Sequence, residues 1–153
     1  QGSDEIIAYL GEHFAAFRFG DPTYGLTRKL PGYAFADAMG AVKEALKEEG
    51  FGVLTEIDVQ ATLKKKIDAD FHRYTILGAC NPKLAHQALL AEPGLGLLLP
   101  CNVVVTEEPD GHALVSVIDP RKMFGVVGNE QLVPVADQVR AKLARALGQI
   151  PTK

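Results

Sequence analysis

Two Cys-Asn dipeptides, Cys80-Asn81 and Cys101-Asn102, hold the only two cysteines of the chain. A thiol at such a position is a reactive nucleophile, a metal ligand or a buried packing residue. Cys80 closes the apolar run Ile76-Leu77-Gly78-Ala79 and stands just ahead of Asn81-Pro82. Asn is a favoured N-cap and Pro a favoured first helical residue, so a helix starts there. A helix N-terminus carries partial positive charge and free N–H groups, and Lys83 adds a cation. That setting is expected to stabilise a Cys80 thiolate and to lower its pKa below ~8.5. The competing reading makes Cys80 a small apolar residue that fills the strand-to-helix corner.

Cys101 follows Pro100 inside the aliphatic run Leu97 to Val105. Pro cannot donate to a sheet ladder, so a bulge or an edge is expected there, with Asn102 as a local hydrogen-bonding device. Apolar surroundings should raise the Cys101 pKa and slow its reactions. Spacing does not say whether the two sulfurs meet. No Cys-x-x-Cys pair points to thioredoxin-like chemistry. Cys80, Asn81, Lys83, Cys101 and Asn102 form the candidate ligand-binding group, and Cys80 is the candidate nucleophile. No general base is placed by sequence beside either thiol, so catalysis stays an open question.

Other chemistry finds less support. His72, His86 and His112 are available, but Cys80 and His86 are six residues apart and do not share a helix face. No pair has zinc-site spacing, and no metal site or cofactor is indicated. Gly94-Leu95-Gly96 lacks the third glycine and the strand-to-helix setting of a phosphate loop. Asp58 reads as a helix cap and Asp119-Pro120 as a strand-ending turn. Lys64-Lys65-Lys66 reads as a solvated helix end, because three adjacent lysines cannot share one face.

A chain of 153 residues can bury a proper core. Its net charge of −3 argues against general nucleic-acid binding, which needs a basic surface. No apolar run reaches the ~20 residues of a membrane span. Two cysteines are not a disulfide framework, so a reducing, cytoplasmic compartment is the default, with an upstream leader or anchor left open. Gln1-Gly2-Ser3 reads as an expression-vector remnant. Residues 4–22 read as an amphipathic helix and linker, and residues 23–150 as one α+β domain.

The elements follow from periodicity and breakers. Asp4 to Phe17 carries Ile6, Ile7, Leu10, Phe14 and Phe17 at helical spacing. Its stripe must bury on its own domain or on a second copy, which would give a homodimer. Tyr24 to Leu30 reads as a strand, and Phe35 to Glu49 as a helix with Phe35, Met39, Val42 and Leu46 inward. Phe51 to Ile57 reads as a strand with Phe51, Val53, Thr55 and Ile57 on one face. Asp58 opens a short helix to Ile67. Phe71 to Ala79 is a strand, and Asn81-Pro82 opens a helix to about Ala91. Gly96 to Glu107 and His112 to Ile118 form a hairpin across Glu108-Pro109-Asp110-Gly111. The last helix runs to Leu147 from about Pro134, with Leu132, Val135, Val139, Leu143 and Leu147 on its buried edge.

The run Asp58-Val59 … Thr62-Leu63-Lys64 … Lys66, Tyr74 and Ile76-Leu77-Gly78-Ala79-Cys80-Asn81-Pro82 … Ala85 resembles the family known as domain of unknown function 302. So do Gly96-Leu97-Leu98-Leu99-Pro100-Cys101-Asn102-Val103-Val104-Val105 and Asp119-Pro120. The resemblance spans about Thr23 to Leu147. It implies a mainly prokaryotic protein with a TATA-binding-protein-like α+β fold: a curved antiparallel sheet of about five strands with helices on one face. It implies no activity, and a shared fold does not carry DNA binding with it. Two readings of function remain. One is a non-enzymatic module that binds a small apolar or anionic ligand, or a partner protein, near Cys80. The other is a thiol-dependent enzyme or sulfur carrier with Cys80 as its nucleophile.

Overall fold

The computed structural model describes residues 18, 19 and 22–153. The expected helix Asp4 to Phe17 lies outside the described residues, and so does the homodimer contact that rested on it. Six antiparallel strands form one sheet in the order β1-β2-β6-β5-β4-β3. They are β1 (Arg18–Phe19), β2 (Gly25–Leu30), β3 (Gly52–Asp58), β4 (Tyr74–Cys80), β5 (Cys101–Glu107) and β6 (Ala113–Ile118). The helices are α1 (Phe35–Glu48), α2 (Val59–Ile67), α3 (Pro82–Ala91), α4 (Pro120–Gly125) and α5 (Val133–Gln149). The α+β class and the five long strands match the sequence expectation, and β1 adds a two-residue edge.

Alternation sorts the sheet into two faces. Leu26, Val117, Val103 and Leu77 form one inward row across β2, β6, β5 and β4, and Arg28, Val115, Val105 and Thr75 form the next. All eight are buried. Over them lie Val42 and Leu46 of α1 and Val135, Val139, Leu143 and Leu147 of α5, also buried. Leu46 has no exposed surface. Leu46→Ala is expected to cost about 2–5 kcal/mol, the range for truncating a buried leucine. A urea melt shifted by less than about 0.5 kcal/mol, as for a surface site, would mean that α1 does not hold the sheet.

Three expectations need correction. Phe51, Val53, Thr55 and Ile57 do not share one face. The register between β3 and β4 shifts between Val53 and Thr55, so that Val53 lies opposite Ala79 but Thr55 lies opposite Gly78. The extra residue, Leu54, bulges, and Thr55 and Ile57 move to the sheet face away from α1 and α5. Gly96 to Pro100 is not strand. Pro93–Leu98 forms a 3-10 turn that packs Leu95 inward, and β5 begins only at Cys101. Asp119-Pro120 does more than end β6: Asp119 caps α4, accepting from the Arg121 N–H at 3.0 Å. A capping side chain followed by proline is the same start signal that marks α3 at Asn81-Pro82.

Other local signals match. Asp58 accepts from the Ala61 N–H at 2.9 Å and caps α2. Lys64, Lys65 and Lys66 form the last turn of α2 and are exposed, with Lys64 bound to Asp68 and Asp70. No residue of α2 is buried, so this helix adds little to the layer that covers the sheet. Glu130–Leu132 is a short 3-10 turn, and regular helix begins at Val133 with Pro134 in the first turn. No helix of the described residues is long and apolar enough to cross a membrane.

Candidate functional site

The sheet, α3 and α5 meet beside Cys80 and leave a cavity of about 300 Å³. β4 and β5 end there, and the chain leaves β4 through Asn81 into α3. Phe51, Ala79 and Cys101 contribute from the sheet side, Leu84 and Ala88 from α3, and Val135 and Val139 from α5. Leu54 and Leu89 lie at its exposed rim. Cys80 and Asn81 also line it. The structure therefore brings Cys80, Asn81 and Cys101 to one cavity. It leaves out the other two candidate residues. Lys83 is exposed on α3, and Asn102 is exposed opposite Gly78 on the other face of the sheet.

The two thiols are neighbours without being a facing pair. Ala79 pairs with Cys101, so Cys101 sits in the inward row with Ala79. Alternation turns Cys80, one residue on, toward the other face. Cys101 is 5% exposed, and Cys80 is half-buried. Burial pushes the Cys101 thiol up to about 12, helped by the nearby Cys80. Burial also raises Cys80. This reverses the lowered pKa that the helix start had suggested for Cys80. Pro82 has no N–H, and the Leu84 N–H is taken by the Asn81 side chain at 3.3 Å. The Ala85 N–H is bound to the Asn81 carbonyl at 2.9 Å. Little of the α3 N-terminus is left to hold a thiolate, and desolvation wins.

Among the described residues, the lining carries no His, Lys, Arg, Asp or Glu, so none of them offers a general base beside the thiols. Among the described residues, no group of three or more His, Cys, Asp and Glu side chains is placed to hold a metal ion.

The family described as domain of unknown function DUF302 matches residues 26–150. The chain belongs to the DUF302 family. It is also similar to the crystal structure of an uncharacterised conserved DUF302 protein from Bacillus stearothermophilus. The TM-score is 0.77 and the identity 29%, over 84% of this chain and 98% of that one. No curated protein matches the chain.

Several DUF302 motif residues have packing roles in this chain. A Cβ on Gly78 would lie 2.2 Å from Thr55 Oγ1 and 2.7 Å from Pro100 Cγ, so only glycine lets β3, β4 and the Pro100 ring close together. Asn81 caps α3 and donates from Nδ2 to the Glu49 carbonyl at 3.3 Å, which ties the end of α1 to the start of α3. Asp119 is buried at 4% exposure, and its Oδ1 lies 3.1 Å from Nε of Arg140 on α5, itself 8% exposed. Sequence reading did not find this buried pair. Arg140 sits one residue beyond the apolar Val139, at a position with no local sign of burial.

Proposed function

We propose that this DUF302 protein is a non-enzymatic binding module for a small, uncharged apolar molecule held in the cavity beside Cys80. The observation that carries this reading is the lining. Its walls are aliphatic and aromatic, the inward Cys101 thiol is held protonated, and Asn81 already spends its side chain on Leu84 and Glu49. Among the described lining residues a charged ligand would find no counter-charge, and it would lose its hydration. That favours a neutral ligand over an anionic one. The volume of about 300 Å³ lies at the small end of ligand sites, which run from ~300 to 1,000 Å³.

The rim supports the same reading. Ten large hydrophobic residues are exposed among the described residues. Leu54 and Leu89 line this cavity. Apolar surface collected around a cavity mouth marks a binding region. Thiol catalysis has less behind it. Neither sulfur is poised as a thiolate, and no base faces it.

The test uses N-phenyl-1-naphthylamine, a neutral fluorophore that brightens on leaving water. The protein is expected to bind it, and Ala85→Phe, which fills the cavity from a half-buried position, is expected to weaken binding at least about tenfold. The variant's thermal midpoint shows that it is folded. Equal binding by both proteins would place the probe elsewhere and end this reading.

A further inference from the structure

We propose that the cavity beside Cys80 continues past Phe124 into a second apolar cavity, and that the two together hold one elongated, uncharged amphiphile such as a long-chain alcohol or amide. This inference rests on the apolar-ligand reading and adds the length and polarity of the ligand.

The second cavity has a volume of about 410 Å³ and is bounded by α4, the turn after it and the start of α5. Among the described residues, Phe124 alone lines both cavities. Its ring is buried, so it stands between them as a shared wall and not as surface. Both cavities reach α5: Val135 and Val139 line the first, and Leu132, Val133 and Ala136 line the second. Leu132, Val135 and Val139 are spaced by three and four residues, so one apolar face runs from the second cavity to the first. Together the two volumes fall within the range of ordinary ligand sites, which a single extended molecule could fill.

The polar groups lie at the second cavity, and they choose the head group. Arg121 Nε is 2.6 Å from Asp137 Oδ1. Asn129 donates to the Ala91 carbonyl at 3.1 Å and to Glu92 Oε1 at 3.0 Å. Glu130 adds an exposed carboxylate. A carboxylate head would meet Asp137 and Glu130 and would have to compete for an arginine already paired. A hydroxyl or amide head can hydrogen-bond at this end at no such cost. The tail then lies toward the Cys80 end, where no charge lines the wall. Exposed Val133 rims the second mouth as Leu54 and Leu89 rim the first.

The test displaces N-phenyl-1-naphthylamine from the full chain with 1-alkanols from hexanol to hexadecanol. If one track holds the chain, affinity rises about fourfold per added methylene across the series. A plateau among the short members, with the probe still displaced, would overturn the joined track while leaving the single apolar cavity standing. Failure of the probe to bind at all would overturn both. Val133→Asp puts a charge in the second cavity at an exposed position that tolerates it. It is expected to weaken hexadecanol roughly tenfold or more and to leave the binding of N-phenyl-1-naphthylamine, held beside Cys80, unchanged. No effect on hexadecanol, or an equal loss for the probe, would also overturn the proposal.

Discussion

Iodoacetamide is expected to alkylate Cys80 in the native protein and to leave Cys101 unmodified until the chain unfolds. The thiolate is the reacting species, and burial holds the Cys101 pKa at about 12 against an ordinary 9.0. That difference alone lowers its thiolate fraction about a thousandfold at mildly alkaline pH. Its 5% exposure adds a steric barrier. Cys80 is half-buried with a raised pKa, so it should react more slowly than a free thiol but far faster than Cys101. Peptide mapping after timed alkylation, with and without urea, reads both rates. Cys101 labelled as fast as Cys80 in folded protein would contradict the buried register. Cys80 reacting faster than free cysteine would restore thiol chemistry as the leading function. The same shift makes stability depend on pH. The folded state holds the Cys101 proton more tightly than the unfolded state does. Its contribution is whole below about pH 9 and falls as pH rises toward the folded pKa of about 12. Cys101→Ala should flatten that part of the alkaline melting curve.

Asp119→Ala is expected to cost about 3–5 kcal/mol, the range for removing one partner of a buried ion pair. Asp119 does two jobs with one oxygen. It accepts from the Arg121 N–H at 3.0 Å as the cap of α4, and it meets Arg140 Nε at 3.1 Å. Both partners of the pair are almost fully buried, so water cannot readily replace the lost carboxylate around the Arg140 guanidinium. Asp119→Asn keeps an oxygen for the cap and loses the charge, so it should cost less than the alanine variant. Urea denaturation of the two variants separates cap from charge. A loss under about 1 kcal/mol for Asp119→Ala, the worth of a cap alone, would show that the pair adds nothing net. Phe124 belongs to the helix that Asp119 starts, so the same substitution should loosen the wall between the two cavities.

Much of the fold was legible in the order of residues. Asn81-Pro82 starts α3 and Asp58 starts α2 because a cap needs only groups three residues away. The buried edge Leu132, Val135, Val139, Leu143 and Leu147 follows from helical period alone. The DUF302 motifs are legible from residue types and spacing alone. The site was less legible. A thiol's pKa depends on what shields it from water, and the residues that line the cavity with Cys101, such as Phe51, Leu84, Val135 and Val139, are distant in the chain. The bulge at Leu54 turned Thr55 and Ile57 over because β4, not β3, sets where each residue pairs. The Asp119–Arg140 pair and the two cavities that share Phe124 likewise arise only when α4, α5 and the sheet end converge. Caps and periods are short-range and can be read along the chain. Burial, register and enclosed volume are long-range, and tertiary packing alone decides them.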